Sequence, residues 1–147
     1  MLSARPLKRC QISRMFPVLA QVLPSLTLKD WTVLAARIIR RSEADGKAGA
    51  IVIENDNATI RGCFIYEIET QAGGKRRLVV RHVVIPPLGQ TMVAKVIHAA
   101  VEDIARTQAC DFVHVELPTD AAWETDFFIG HGHQVLGIDI GHTTPSS

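Results

Sequence analysis

Two side chains in the sequence are suited to taking a proton. His82 lies two residues before Val84 in the run RLVVRHVVI, which puts the two on one face of an extended strand. An imidazole titrates near neutrality, where a general base works best. Glu116 is the second candidate base and shares a strand face with His114, opposite Val113, Val115 and Leu117. Each has an ordinary alternative, a histidine satisfied by backbone or a solvated strand face. Glu67 and Glu69 share a face with Cys63 and Ile65. Such a carboxylate pair can hold an amine or raise each other's pKa, or lie on the exposed side of an edge strand. Lys75, Arg76, Arg77 and Arg81 form the densest basic stretch, suited to an anion or to a charged hairpin tip.

Other chemistries lack their residues. His131, His133 and His142 with Asp139 do not make a metal site, because His-x-His alternates faces in a strand and no helical i, i+4 partner exists. Cys10, Cys63 and Cys110 are odd in number and far apart, so they build neither a disulfide framework nor a zinc ribbon. Cys63 and Cys110 read as small core residues. No GxSxG, GxxxxGK[ST] or GxGxxG occurs, which removes support for hydrolase, nucleoside-triphosphatase and dinucleotide readings.

These side chains must be positioned by one domain. With 147 residues, 47% hydrophobic and 21% charged, the chain is an ordinary globule. Such a chain buries roughly 70% of its extended surface on folding. We expect the domain over residues 1–142 and a frayed tail at 143–147. Sixteen Lys and Arg against 15 Asp and Glu give no general attraction to nucleic acid. No apolar run reaches the roughly 18 residues of a membrane span. The start MLSARPLKRC has no signal-length apolar stretch behind it. The expectation is a cytoplasmic protein with no nucleic-acid or membrane partner.

The order of elements follows from periodicity and breakers. Lys8–Met15 can begin as a short strand, and Pro17 suits a helix N1 position ahead of the stripe Phe16, Leu19, Val22 and Leu23, which Pro24 stops. Thr27 to Asp30 resembles a capping box opening a helix with Trp31, Leu34, Ala35, Ile38 and Ile39 inward. Arg37, Arg40 and Arg41 fall toward its C-terminal end, where cations suit the dipole. Ala50–Glu54 and Thr59–Glu69 flank Asn55-Asp56-Asn57 as a hairpin, and Gly73-Gly74 turns into Arg77–Ile85. Val93, Val96, Ile97, Ala100, Val101, Ile104 and Ala105 make 90–108 the clearest helix. Asp111–Leu117 is a strand, Ala121–Phe128 a short helix and His133–Ile140 a last strand. The order is β-α-α-β-β-β-α-β-α-β, an α/β chain with a mixed sheet. The crossover makes Arg77–Ile85 and Asp111–Leu117 a parallel, right-handed pair.

The segment VVIPPLGQTMVAKVIHAAVEDIA, Val83–Ala105, resembles the central motif of the GNAT superfamily of acyl-CoA-dependent N-acyltransferases. That motif is a strand ending in V-x-P, a loop of form (Q/R)-x-x-G-x-(G/A), and an amphipathic helix. Val84 matches the strand valine, Gly89 the Gln/Arg place, Met92 the first glycine and Ala94 the second small residue. FFIGHGH resembles the family's F-Y-x-x-x-G-F segment, with Phe128 at the tyrosine and Gly132 at the glycine. The resemblance covers the element order over nearly the whole chain. It implies a GNAT-like fold with a splayed parallel strand pair. It implies an acyl-CoA cofactor, acetyl-CoA or another, bound through Val84, Gly89, Gln90, Thr91, Met92, Val93 and Ala94. In the family a backbone amide near the strand end polarises the thioester carbonyl. Backbone amides at a helix start then suit the pyrophosphate.

The sequence departs from the motif in three places. Gly89 supplies no basic or amide side chain, Met92 is bulky, and Phe128 has no hydroxyl to protonate a thiolate. Two functions remain open. One is N-acyl transfer by direct attack of a small-molecule or peptide amine, with His82 or Glu116 as base. The other is a GNAT-fold binding or regulatory module, without catalysis, that can still hold coenzyme A. An exposed strand edge is also compatible with a homodimer.

Overall fold

The structure, a computed structural model, describes residues 1–118 and 120–133. These residues fall into two compact units, Met1–Glu116 and the segment from Leu117 onward. The first contains β1 (Ser3–Pro6), a 3-10 turn (Arg9–Gln11), α1 (Ile12–Leu19), α2 (Leu28–Asp45), β2 (Ala48–Glu54), β3 (Ile60–Thr70), β4 (Arg76–Val84), α3 (Gln90–Thr107) and β5 (Phe112–Val115). The second contains α4 (Ala122–Gly130). This is the expected order through α4. The expected last strand, His133 itself apart, and the 143–147 tail lie outside the described residues.

The sheet runs β1-β2-β3-β4-β5 in space, antiparallel except for the last pair. β4 and β5 are adjacent and parallel, as the crossover predicts, with Arg77 opposite Phe112 and Val80 opposite Val115. Helices cover both faces. Met15, Leu19, Trp31, Ala35, Ile38 and Ile39 of α1 and α2 pack with Ala50, Val52, Cys63 and Val84. Side chains alternate across a strand, so Gly62 faces away from the Cys63 layer. A Cβ on Gly62 would meet Val93 of α3, which places α3 on that second face. Val93, Ala94, Ile97 and Val101 are its buried stripe, at the spacing of a helix face.

Local chemistry explains the boundaries of α2. The Thr27 hydroxyl accepts from the Asp30 amide at 3.1 Å, and Gly46 ends the helix in the left-handed conformation at φ 70°. The buried Trp31 indole donates to the Ile12 carbonyl at 2.8 Å and so fastens α2 to α1.

Three expectations about the N-terminal half are corrected. The first strand is Ser3–Pro6, not Lys8–Met15. At Lys8 the backbone amide donates to the Gln11 side chain at 2.9 Å, and the chain turns. Ile12, Met15, Phe16 and Leu19 then recur at helical spacing toward the core. Pro17 consequently lies inside α1 rather than at its first position, and its missing N–H leaves the Ser13 carbonyl without a helical donor. No basic residue lies in the last turn of α2, because the helix continues beyond Arg41 to Asp45. Arg41 instead pairs with Glu67 at 2.9 Å.

Candidate functional site

The end of β4 departs from regular strand geometry. Arg81 pairs with Ile65 and Val84 with Cys63, so His82 and Val83 together oppose Phe64. This is a β-bulge, and His82 occupies it at φ 56°, in the left-handed region. A histidine there is held by the fold around it, because L side chains disfavour that conformation. The expected sharing of one face by His82 and Val84 is corrected accordingly. Two residues rather than one separate the same-face pair Arg81 and Val84, and simple alternation fails across the bulge.

The bulge falls where β5 stops following β4. Residue pairing ends at Val80 and Val115, and the Glu116 amide donates to the Val80 carbonyl at 2.9 Å as the last rung. From Arg81 to Val84, β4 continues with β3 as its partner and no β5 residue paired to it. Among the described residues, the parallel pair is therefore open at its C-terminal end.

Past Val84 the chain crosses Pro86-Pro87 and starts α3. Gly89 is the N-cap at φ 71°, with no side chain capping the helix and no acidic residue in its first turn. The Val93 amide already donates to the Gly89 carbonyl at 3.2 Å. Uncapped donors are thus the amides of Gln90, Thr91 and Met92, the first turn of α3. Val93 and Ala94 are 1% and 0% exposed, so their side chains anchor the helix rather than reach a ligand. Met92, at 61% exposure, stands outside the core. The residues present fit an anionic pyrophosphate by backbone donors and dipole alone. Arg61, which the sequence does not single out, reaches the Leu88 carbonyl at 3.4 Å and brings a guanidinium beside this loop.

The candidate bases lie together at the opening. His82 has its pKa lowered, first by burial, then by the Arg81 charge, against an opposing pull from Glu116. Its neutral form is therefore favoured. Arg81 Nε lies 3.2 Å from Glu116 Oε1, so Glu116 is engaged in an ion pair. Arg81 also reaches Glu67 at 3.5 Å and Glu69 at 3.7 Å, while Arg77 pairs with Glu69. Glu67 and Glu69 thus stand on a central strand, not an edge. Glu69 has its carboxyl pKa lowered, chiefly by its hydrogen bond from Arg77, which corrects the expectation of a mutually raised pair. The basic stretch is likewise internally committed. The Arg76 side chain donates to Gln108 at 3.0 Å, and Arg77 and Arg81 are ion-paired.

The remaining candidates have structural roles. Tyr66 is buried, and its ring fills the place of a Cβ on Gly49. Its hydroxyl faces the Gly46 carbonyl at 3.5 Å, and burial raises its pKa. Cys63 is fully buried. In the second unit, Phe128 is 3% exposed and its ring meets that of His133 edge-on at 5.3 Å. Among the described residues, no group of three or more His, Cys, Asp or Glu side chains gathers as metal ligands would, and no helix is long and apolar enough to cross a membrane. His142 and Asp139 lie outside the described residues.

No protein-family model and no curated protein matches the sequence. Solved structures do match. Glucosamine-6-phosphate N-acetyltransferase from Arabidopsis thaliana is 18% identical, with 99% of each chain covered and a TM-score of 0.75. The enzyme AAC(6')-Iy, solved with a bisubstrate analogue of coenzyme A and acetylneamine, is 14% identical with 99% of each chain covered and a TM-score of 0.79. A transcriptional regulator from Bacillus halodurans C-125 is 16% identical, covers 100% of this chain and 99% of its own, and has a TM-score of 0.75. The fold is that of the GNAT acetyltransferases, with a five-stranded mixed sheet among the described residues.

Proposed function

We propose that this GNAT fold serves an acyl-CoA-dependent N-acyltransferase that moves an acetyl or other acyl group to an amine by direct attack. The observation that carries the reading is the opening of β4 from β5 at Val80 and Glu116, one bulge and one short loop before the uncapped start of α3. An acyl-CoA supplies the activated thioester. The amides of Gln90, Thr91 and Met92 receive its pyrophosphate, and Gly89 lets the chain turn into the helix there. β4 groups past the last β5 rung, around Val84, are the backbone available to the thioester end. The amine requires a base, and His82, favoured in its neutral form, accepts the proton directly or through water. Neither Phe128 nor the buried Tyr66 supports an acid for the leaving thiolate, so that proton comes from solvent or another group.

Calorimetric titration with acetyl-CoA and free coenzyme A, followed by thiol release across a panel of small-molecule and peptide amines, tests this reading. Binding of both, with turnover on some amine, is expected. Failure of acetyl-CoA to bind would falsify it. A second reading has the missing Phe128 hydroxyl in its favour, together with the likeness to a structure described as a transcriptional regulator. It is a module that holds coenzyme A without catalysis. Binding without turnover on any amine would establish it instead.

A further inference from the structure

We propose that Arg81 is the positioning residue of this site: held by Glu67 and Glu69 of β3, its guanidinium pins the Glu116 carboxylate where β4 and β5 part and leaves His82 as the base. The inference rests on the acyltransferase reading.

Arg81 is the last β4 residue before the bulge, and Glu116 carries the last rung to β5. Their ion pair, Nε to Oε1 at 3.2 Å, therefore spans the mouth of the opening. Glu67 and Glu69 hold the same guanidinium from the β3 side at 3.5 and 3.7 Å. Arg41 of α2 and Arg77 of β4 in turn hold those two carboxylates, so the cluster has three cations and three anions. The Arg81 side chain is 27% exposed, less than Glu116 at 45%, which fits an anchored fork reaching out to a more open carboxylate. Of α1, Arg14 turns away to the Ala58 carbonyl.

This arrangement assigns unequal work to the two candidate bases. The Glu116 Oε1 is committed to the Arg81 guanidinium at 3.2 Å, so that oxygen is turned to the cation rather than to an incoming amine. Among the described residues His82 has no ion pair of this kind: Arg81 beside it acts by charge and opposes protonation, while Glu116 favours it. Arg81 thereby sets the balance by acting on both neighbours at once.

Arg81→Gln, Arg81→Lys and Glu116→Gln test the proposal, each checked for wild-type backbone spectra. His82 is titrated by NMR of its imidazole protons without cofactor, and the pH dependence of kcat/KM is recorded alongside. In Arg81→Gln the His82 midpoint should rise by about half a pH unit or more, because a cation is lost and an unpaired carboxylate is gained. The acid limb of kcat/KM should move up with it, with the KM for acetyl-CoA little changed. Arg81→Lys should restore part of the shift, and Glu116→Gln should move both midpoints down. An unmoved His82 midpoint in Arg81→Gln overturns the proposal. So does an acid limb that stays put while the imidazole midpoint moves, since another group is then the base. Wild-type protein that binds no acetyl-CoA sinks the acyltransferase reading itself, whatever the NMR shows.

Discussion

The carbonyl oxygen of Val84 lies 2.7 Å from where a Cβ on Gly62 would stand, and the Val93 side chain lies 2.8 Å from the same point. Gly62 is thus a place where β3, the end of β4 and the start of α3 approach closely. Gly62→Ala must displace backbone rather than a flexible side-chain tip. We expect a loss of ~1–3 kcal/mol in urea unfolding. Acetyl-CoA affinity measured calorimetrically should fall as well, because the loop that leads into α3 is displaced.

The first turn of α3 lets stability and binding be separated. An aspartate at Thr91 complements the helix dipole and should stabilise the fold by ~0.3–1 kcal/mol. The same charge stands against a pyrophosphate. Thr91→Asp should therefore raise the unfolding midpoint while weakening coenzyme A binding about tenfold or more, since a charge-assisted contact is worth ~1.5–3 kcal/mol. If both quantities rise together, the anion does not sit there.

The lowered pKa of His82 has a signed consequence for stability. The unfolded imidazole, with a pKa of about 6.5, binds a proton before the folded one does. The stability contributed by the neutral side chain is complete above that pH and is lost as pH falls through the lower folded pKa. Asparagine tolerates the left-handed backbone without titrating in this range. Urea midpoints measured from pH 7 down to pH 5 should decline less steeply in His82→Asn than in wild type.

Burial pushes the Cys63 thiol up to about 12, whereas Cys10 is exposed. The thiolate is the nucleophile, so iodoacetamide at pH 8 should modify Cys10 first and leave Cys63 intact until the protein unfolds. Mass spectrometry of the digested protein reads this directly.

Trp31→Phe keeps most of the ring volume but removes the indole N–H that meets the Ile12 carbonyl. The carbonyl keeps its helical donor within α1 but loses this tie to α2, and a loss of ~0.5–1.5 kcal/mol in thermal or urea unfolding is expected.

The elements that local chemistry defines were legible in the residues. Thr27 and Gly46 bracket α2, and the stripe from Val93 to Val101 marks α3. The turn at Asn55 was also visible, since its side chain accepts from the Asn57 and Thr59 amides at 2.9 and 3.0 Å. The N-terminal segment misled because Lys8–Met15 has too few apolar positions to separate a two-residue from a four-residue period. The bulge was hidden for a different reason. In VVRHVV either parity buries a valine, so only the register against β3 reveals two residues facing one. The sequence marked His82 and Glu116, but the part played by Arg81 depends on partners carried by β3 and by the end of β5. No spacing along one of those strands brings Glu67, Glu69 and Glu116 to one guanidinium.

The extra residue in β4 is also one that the strand can lose without changing the face to which its flanking side chains turn. Up to Arg81, odd-numbered side chains share the layer of Ile65; beyond the bulge, Val84 takes that place with Cys63. Exchanging His82 or Val83 for another residue leaves this inversion intact. Deleting either one removes the bulge, yet Val84 then stands two places after Arg81 and still faces the layer it shares with Cys63 and Trp31. In a library of single-codon deletions across β4, clones lacking one residue between Arg81 and Val84 should be retained in the folded pool more often than clones lacking one between Arg77 and Val80, where the register has no residue to spare. At this point in the molecule, the strand carries one residue of slack.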